Sequence, residues 1–386
     1  MVAGSRGSQY LYRLSSPDQP TVADNDVLPS ISQKIRVIFS LTTRDFDLAM
    51  MTISLLFVLL LCLPLASLAF QSPKTRNIGN KRTAVKLFEH SSRREFLGQA
   101  VLTTGGGLAG AGLWLPPSSA IAEDEDSKSK EAIELPPMGL GAWAWGDSLF
   151  WGYDRKEDEE LHKVFDYAVS HSKSPKTFFD TAELYGLGRS ETLLGTFSES
   201  CPDQVQIATK FAAIPTRTKS KNVVDACLAS QKRLGGNRPI DLYQIHFPNL
   251  WSNAEFWDGL ADAYDRGLVK AVGVSNYGVD AIRACHKALA DRGIPLATNQ
   301  IQLSLLYRWP LENGLLETCR ELNVQVLAYS PLALGCLTGK YSSDNMPSGP
   351  RKALFEQLLS TPDYASLLEV MKGIASNHAD ASLSQV

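Results

Sequence analysis

The stretch Thr177-Phe178-Phe179-Asp180-Thr181-Ala182-Glu183-Leu184-Tyr185-Gly186 passes from a short apolar run into a group of ionisable side chains. Residues 177–181 have the length and the β-branched and aromatic content of a strand covered on both faces. Asp180 and Tyr185 then stand at or just beyond its C-terminal end. The same pattern recurs outward in the chain. Strand-like runs lie at 138–145, 205–211, 242–247, 269–275, 297–303 and 324–329, with amphipathic stretches at 157–170, 191–197, 222–234, 254–266, 279–291 and 311–322. Strict alternation of this kind predicts parallel strands joined by crossover helices. Seven such units over about 250 residues fit an α/β fold of the (β/α)8 TIM barrel type better than an open sheet. A doubly wound sheet is the alternative, but no Gly-x-Gly-x-x-Gly follows a strand and opens a helix. Only seven strands can be counted after Pro137. The expectation is therefore a C-terminally truncated barrel that cannot close. Its eighth strand and the accompanying helix are missing, and its first and seventh strands are unpaired edges.

Composition removes several function classes. The chain has 386 residues, 44% of them hydrophobic, with 38 basic and 41 acidic side chains and a formal charge of −3. That balance lacks the basic face a nucleic-acid binder needs for counterion release. The six cysteines, at 62, 201, 227, 285, 319 and 336, show neither C-x-x-C spacing nor metal-spaced histidines. Neither a zinc site nor a disulfide framework is expected. Gly335, Gly339 and Lys340 lack the spacing of a Walker phosphate loop.

Before the barrel, composition shifts repeatedly. Residues 1–49 are polar and without period, and read as unstructured, or as a gene-model extension if translation starts at Met50 or Met51. Residues 50–70 carry an apolar run broken by Pro64 and ending in Ala66-Ser67-Leu68-Ala69, which reads as a signal peptide. Residues 71–91 are transit-like: Lys74, Arg76, Lys81, Arg82 and Lys86 face Glu89 alone. Residues 92–122 contain Arg93-Arg94, a Gly/Ala-rich apolar stretch and Ala120-Ile121-Ala122, and resemble a twin-arginine thylakoid signal. An acidic linker, 123–136, leads into the barrel at 137–386. This order resembles a bipartite plastid presequence. It implies a plastid protein of the thylakoid lumen that meets membranes only in transit.

The polar residues of the body gather at predicted strand ends: Asp180 and Tyr185, Lys210, His246, Asn276 and Tyr329. In parallel barrels the C-terminal rim carries the chemistry. A phenol has a reference pKa of about 10, and a nearby ammonium is expected to lower it. A carboxylate would hold that ammonium, and an imidazole would orient a carbonyl oxygen. Tyr185 could then protonate the oxygen as hydride reaches carbon. Taken singly, Asp180 reads as a turn cap, Lys210 as a solvated strand end, and His246 and Tyr185 as loop residues. Together, at successive strand ends, they point to carbonyl reduction.

The run from Phe179 to Gly186, with Ser190-Glu191 after it, resembles the signature of aldo-keto reductases. So do Ala208-Thr209-Lys210-Phe211, Asp241-Leu242-Tyr243-Gln244-Ile245-His246, Gly273-Val274-Ser275-Asn276-Tyr277 and Ala328-Tyr329-Ser330-Pro331-Leu332. Gly139-Leu140-Gly141-Ala142-Trp143 is similar to plastid members of that family. The resemblance implies a monomeric NADPH-dependent enzyme acting on a small-molecule carbonyl substrate. It makes Tyr185 the proton donor, Lys210 and Asp180 its tuners and His246 the orienter. Ser275, Asn276 and Gln300 would hold the nicotinamide carboxamide, Tyr329 would stack on the ring, and Ser330, Leu332 and Gly335 would line the pyrophosphate. Alternatives within the same fold are a cofactor-binding regulatory subunit and an inactive truncated remnant. Trp143, Trp145, Phe150 and Trp151 read as an apolar substrate wall, or as barrel-bottom or loop packing. Residues 342–351 read as a loop near the mouth.

Overall fold

A computed structural model describes residues 9–13 and 133–386, apart from Asn237, Leu250, Trp251, Pro350 and Asp380. The expected signal (50–70), transit-like (71–91) and twin-arginine (92–122) segments lie outside the described residues. Seven strands run parallel in chain order: β2 (Met138–Gly141), β3 (Thr177–Asp180), β4 (Val205–Phe211), β5 (Leu242–Ile245), β6 (Val272–Ser275), β7 (Leu296–Gln302) and β8 (Gln325–Tyr329). Helices α1 (Asp158–Ser170), α2 (Arg189–Phe197), α3 (Ser220–Arg233), α4 (Asn253–Asp265) and α5 (Val279–Ala290) connect β2 through β7. Two short helices, α6 (Trp309–Glu312) and α7 (Leu315–Glu321), lead into β8. Helices α8 (Arg351–Leu359) and α9 (Pro362–Ser376) follow it.

The ring closes, contrary to expectation. Strand β1 (Gln9–Arg13) fills the gap between β2 and β8, antiparallel to both. Gln9 stands opposite Gly141, and Tyr12 opposite both Met138 and Ala328. The strand edges thought to be open are therefore paired. The sequence reading missed β1 because a five-residue run among polar neighbours is too short for a period to register.

Alternation along each strand sorts the core into layers. Phe178, Ala208, Leu242, Ala271 and Leu327 pack with Leu135 in one cluster that fills the barrel floor. Above it, Thr298 Oγ1 donates to Gln244 Oε1 at 3.2 Å. Gly273 makes room for that pair, since a Cβ there would fall 2.1 Å from Thr298 Oγ1. The next inward positions are Asp180, Lys210 and Gln300, at the mouth. The opposite strand faces pack under the helices: Tyr243, Ile245, Val272 and Val274 meet Phe256, Leu260, Ile282 and Leu289. Each such fully buried side chain stabilises the fold by about 1.5–3 kcal/mol.

Element ends moved where local chemistry overrode the pattern. Strand β2 stops at Gly141, and a turn closed by Trp145 N–H to the Ala142 carbonyl at 3.0 Å replaces the rest of the expected 138–145 run. The single helix expected over 311–322 is split at Asn313-Gly314. Gly314 adopts φ +80°, and Asn313 Oδ1 accepts the Leu315 N–H at 3.0 Å. Helices α8 and α9 had no counterpart in the sequence reading. They bury Leu354, Phe355, Leu358, Tyr364, Leu367 and Met371.

Candidate active site

Asp180 ends β3 and Lys210 is the penultimate residue of β4, so both side chains point into the mouth. Lys210 is 0% exposed and Asp180 4%. Lys210 Nζ donates to Asp180 Oδ2 at 2.5 Å and to the Thr181 carbonyl at 2.8 Å. Asp180 Oδ1 accepts Gln300 Nε2 from β7 at 2.8 Å. A buried ammonium is costly unless paired and hydrogen-bonded, and these contacts meet both conditions. Burial lowers the Lys210 pKa, while the Asp180 charge and hydrogen bond, and then Glu191, oppose the shift. Thr209, facing the other way, donates to Glu191 Oε1 at 2.6 Å, and Arg233 Nε donates to Glu191 Oε2 at 2.5 Å. That outer network ties the end of β4 to α2 and α3.

Tyr185 sits on a tight turn. Its N–H donates to the Ala182 carbonyl at 3.0 Å, and Gly186 follows at φ +55°. A Cβ on Gly186 would lie 2.2 Å from the Gly146 carbonyl oxygen, so only glycine fits that approach. Glu183 anchors the turn by accepting the Ala212 N–H at 2.6 Å and an Arg217 guanidinium N–H. The Tyr185 ring centre lies 5.1 Å from Lys210 Nζ. It meets the His246 ring edge-on at 5.7 Å and stacks near Trp143 at 5.9 Å.

Tyr185 keeps some exposed surface at the mouth, yet protein surrounds it closely enough to raise its pKa well above 10.0. Burial is the main cause, followed by the charge of Asp180, then Tyr329 and Asp147. The expected lowering by Lys210 is corrected: the ammonium arrives with its own counter-ion, and burial decides the sign. His246 is held well below 6.5, by burial first and the Lys210 charge second, so its imidazole is neutral at physiological pH. Its backbone N–H donates to the Phe211 carbonyl at 3.0 Å, and its ring stacks on Phe247 at 4.4 Å. Its Nδ1 is buried without a partner.

The rim continues through β6 and β8. Ser275 Oγ donates to the Gln300 carbonyl at 2.9 Å. Asn276, at φ +63°, donates through Nδ2 to the His246 carbonyl at 3.0 Å and to Ser275 Oγ at 3.1 Å. Its Oδ1 accepts the Tyr329 hydroxyl at 2.9 Å. The side-chain amide of Gln300 is turned to Asp180, so this residue bears on the ion pair as well as on the rim. Ser330 adopts φ +52° and its Oγ is buried with no partner. Ala333, Leu334 and Gly335 follow at φ +49°, +57° and +99°, and the Leu332 carbonyl accepts the N–H groups of Gly335 and Leu337. Consecutive left-handed residues are strained for side chains other than glycine, and backbone amides in such turns form anion-binding concavities. The unpaired Ser330 hydroxyl beside this turn fits a dinucleotide diphosphate. Ser330, Leu332 and Gly335 would hold it, with Ser275, Asn276, Gln300 and Tyr329 around the nicotinamide.

The structure thus gathers Asp180, Tyr185, Lys210, His246, Ser275, Asn276, Gln300 and Tyr329 at one rim. Of the four aromatics near the first parallel strand, Trp145, Phe150 and Trp151 are buried in one hydrophobic cluster and Trp143 packs against it. Trp143 stacks on Phe150 at 4.9 Å and meets Trp151 edge-on at 5.6 Å. Trp145 lies deepest, 1% exposed, with Phe179 and Phe197 each at 6.1 Å. Sequence reasoning missed the Thr181 carbonyl, the Glu183–Arg217 anchor and Asp147, which accepts Trp143 Nε1 at 3.0 Å. An acid two residues before Tyr185 was a signal that could have exposed the anchor. A backbone carbonyl left none.

A lysine–carboxylate pair beneath a tyrosine and a neutral histidine, at the mouth of a parallel barrel, defines a barrel oxidoreductase. The chain belongs to the aldo/keto reductase family, whose model matches residues 137–386. It is similar to a chloroplastic pyridoxal reductase of Arabidopsis thaliana, 41% identical over 261 residues, covering 63% of this chain and 69% of that protein. An uncharacterized oxidoreductase of Mycobacterium tuberculosis is 40% identical over 259 residues, covering 66% of this chain and 76% of that one. Among solved structures, the glycerol dehydrogenase of Gluconobacter oxydans shares the fold at a TM-score of 0.54 and 24% identity, covering 66% of this chain and 80% of that chain.

Proposed function

We propose that this protein reduces an aldehyde or ketone to the alcohol with NADPH, as a monomer, with Tyr185 as proton donor. The observation that carries the reading is the buried Lys210–Asp180 pair with the Tyr185 ring above it and His246 at its edge. Bound NADPH would supply the hydride. A raised phenol pKa keeps Tyr185 protonated through neutral pH, which a proton donor to a carbonyl oxygen requires. Neutral His246 has one ring N–H with which to hold that oxygen. After transfer, the phenolate stands near the Lys210 ammonium and regains its proton from water at the mouth. Asn276 and Tyr329, fixed to each other, give the nicotinamide side of the rim a rigid wall, which sets orientation.

The test is NADPH oxidation with a panel of aldehydes. Pyridoxal is included because a relative bears that name, and Tyr185→Phe is the control. Turnover should fall by about 100-fold or more in that variant, the usual scale of general-acid catalysis, while NADPH binding by fluorescence titration persists. Turnover equal to wild type would remove Tyr185 from the role. We place the protein in the plastid, and within it in the thylakoid lumen. The acid-poor segment 71–91, the Arg93-Arg94 pair and the chloroplastic relative support this. A fluorescent protein fused after residues 1–125 should enter plastids, and a cytosolic signal would refute the assignment.

A further inference from the structure

Asn299 lies on β7 between Thr298, which meets Gln244 inside the barrel, and Gln300, which meets Asp180 at the mouth. Side chains alternate along a strand, so Asn299 faces outward, under the helices, where it is 0% exposed. A carboxamide buried there is costly unless its polar atoms are bonded. Two of its bonds go to the backbone of a single residue. Asn299 Nδ2 donates to the Tyr277 carbonyl at 2.9 Å, and its Oδ1 accepts the Tyr277 N–H at 3.4 Å. The Cys319 side chain hydrogen-bonds the same amide. Asn299 thus imitates a neighbouring strand just past the end of β6, whose ladder to β7 stops at Ser275 opposite Gln300.

Asn276 stands between these two attachments, at φ +63°. Left-handed backbone is disfavoured for a residue with a Cβ and persists where the surroundings leave no alternative. Here the β6–β7 ladder fixes Ser275 before it, and Asn299 fixes the Tyr277 peptide after it. In that conformation Asn276 turns Nδ2 to the His246 carbonyl and Oδ1 to the Tyr329 hydroxyl. Release of the Tyr277 peptide would let Asn276 return to an ordinary φ and swing its amide out of the rim. The Tyr277 hydroxyl is anchored separately on α4: it accepts Trp257 Nε1 at 3.2 Å and donates to Asn253 Oδ1 at 3.4 Å. That second anchor holds the ring, not the peptide. We propose that Asn299 is a positioning residue: by clamping the Tyr277 backbone it keeps Asn276 left-handed, and so fixes the Asn276–Tyr329 wall that decides which face of the dihydronicotinamide delivers hydride. The proposal rests on the carbonyl-reductase reading above and adds a residue that touches neither cofactor nor substrate.

The experiment gives the full chain NADPH deuterated on one or the other face of C4, with one well-reduced aldehyde, and counts the label in the alcohol. The wild type should draw hydride from one face almost exclusively. Asn299→Leu keeps the bulk and loses the polar atoms. Its face ratio and its kcat should each fall by about tenfold, with the aldehyde KM little changed, the scale of one orienting hydrogen bond. The circular dichroism induced in the reduced nicotinamide band of bound NADPH should weaken in parallel. Tyr277→Phe, which cuts the ring anchor and spares the peptide, should lower the melting temperature but keep the face ratio. A folded Asn299→Leu protein with the wild-type face ratio and dichroism overturns the proposal. So does a raised NADPH Kd with an unchanged face ratio, which would make Asn299 a matter of affinity alone. An equal loss of the ratio in Tyr277→Phe also overturns it, because any loosening would then suffice. If Asn299→Leu fails to fold, Asn299→Ser, too short to reach the Tyr277 peptide, carries the same measurements. If the wild type reduces no aldehyde, the reductase reading fails. The dichroism of bound NADPH then decides the role of Asn299 separately: a weakened band in the variant sustains it, and an unchanged band refutes it.

Discussion

Separating the two members of the buried ion pair should cost more than removing both. Asp180→Asn keeps the shape of the side chain but leaves the Lys210 ammonium, fully buried, with the Thr181 carbonyl as its one strong acceptor. Lys210→Met leaves the Asp180 carboxylate with Gln300 Nε2 alone. Breaking a buried pair by deleting one partner costs about 3–5 kcal/mol, whereas replacing both with uncharged groups is often neutral. With about 2–4 °C of melting shift per kcal/mol for a body of this size, each single variant should melt about 6–20 °C below wild type. The double variant should recover most of that loss. Urea unfolding of wild type, both singles and the double closes the cycle, with an expected coupling of about 3 kcal/mol or more. Activity should be absent from all three variants, so stability reads the pair independently of catalysis. Singles that each cost under about 1 kcal/mol and add in the double would refute the account, because they would mean that water reaches Lys210.

Two more outcomes follow from the same geometry. The folded-state pKa of His246 lies well below its unfolded value, so the unfolded chain binds the proton first and stability falls as pH drops through about 6.5. The loss grows as the pH drops further, because the unfolded imidazole takes up a proton that the folded one resists. Wild type should therefore lose more stability than His246→Gln between pH 8 and 5.5, and parallel melting curves would contradict a neutral buried imidazole. Strand β1 pairs on both edges, so Leu11→Pro, which deletes an amide in the middle of that ladder, should lower the melting temperature by at least about 2 °C and promote aggregation seen by light scattering. An unchanged melt would mean that β1 does not hold the ring closed.

Much of this was legible in the sequence for a definite reason. Asp180 and Lys210 could be placed at the rim before any coordinates because they stand at predicted strand ends, whereas Gln300 was reached only through the family resemblance. The rim assignment of His246 and Asn276 followed from where their strands end. What spacing cannot carry is the sum of charges at a point. Lys210 announces a cation near Tyr185. It does not announce how closely protein surrounds the phenol, and burial, ahead of the Asp180 charge, turned the shift upward. Of the two readings of Trp145, packing holds, since one turn after Gly141 brings Trp143 beside Tyr185 and Trp145 into the core. Arg351 looked like the end of a polar loop because its burial comes from Trp151, two hundred positions away in the chain.

Charge placement across the mouth supplies the last step. Lys210 and Asp180 neutralise each other, and Tyr185 and His246 are uncharged near neutral pH. The end of the site where the carbonyl oxygen must sit therefore offers neutral donors, which grip an oxygen as negative charge grows on it and hold a resting carboxylate only weakly.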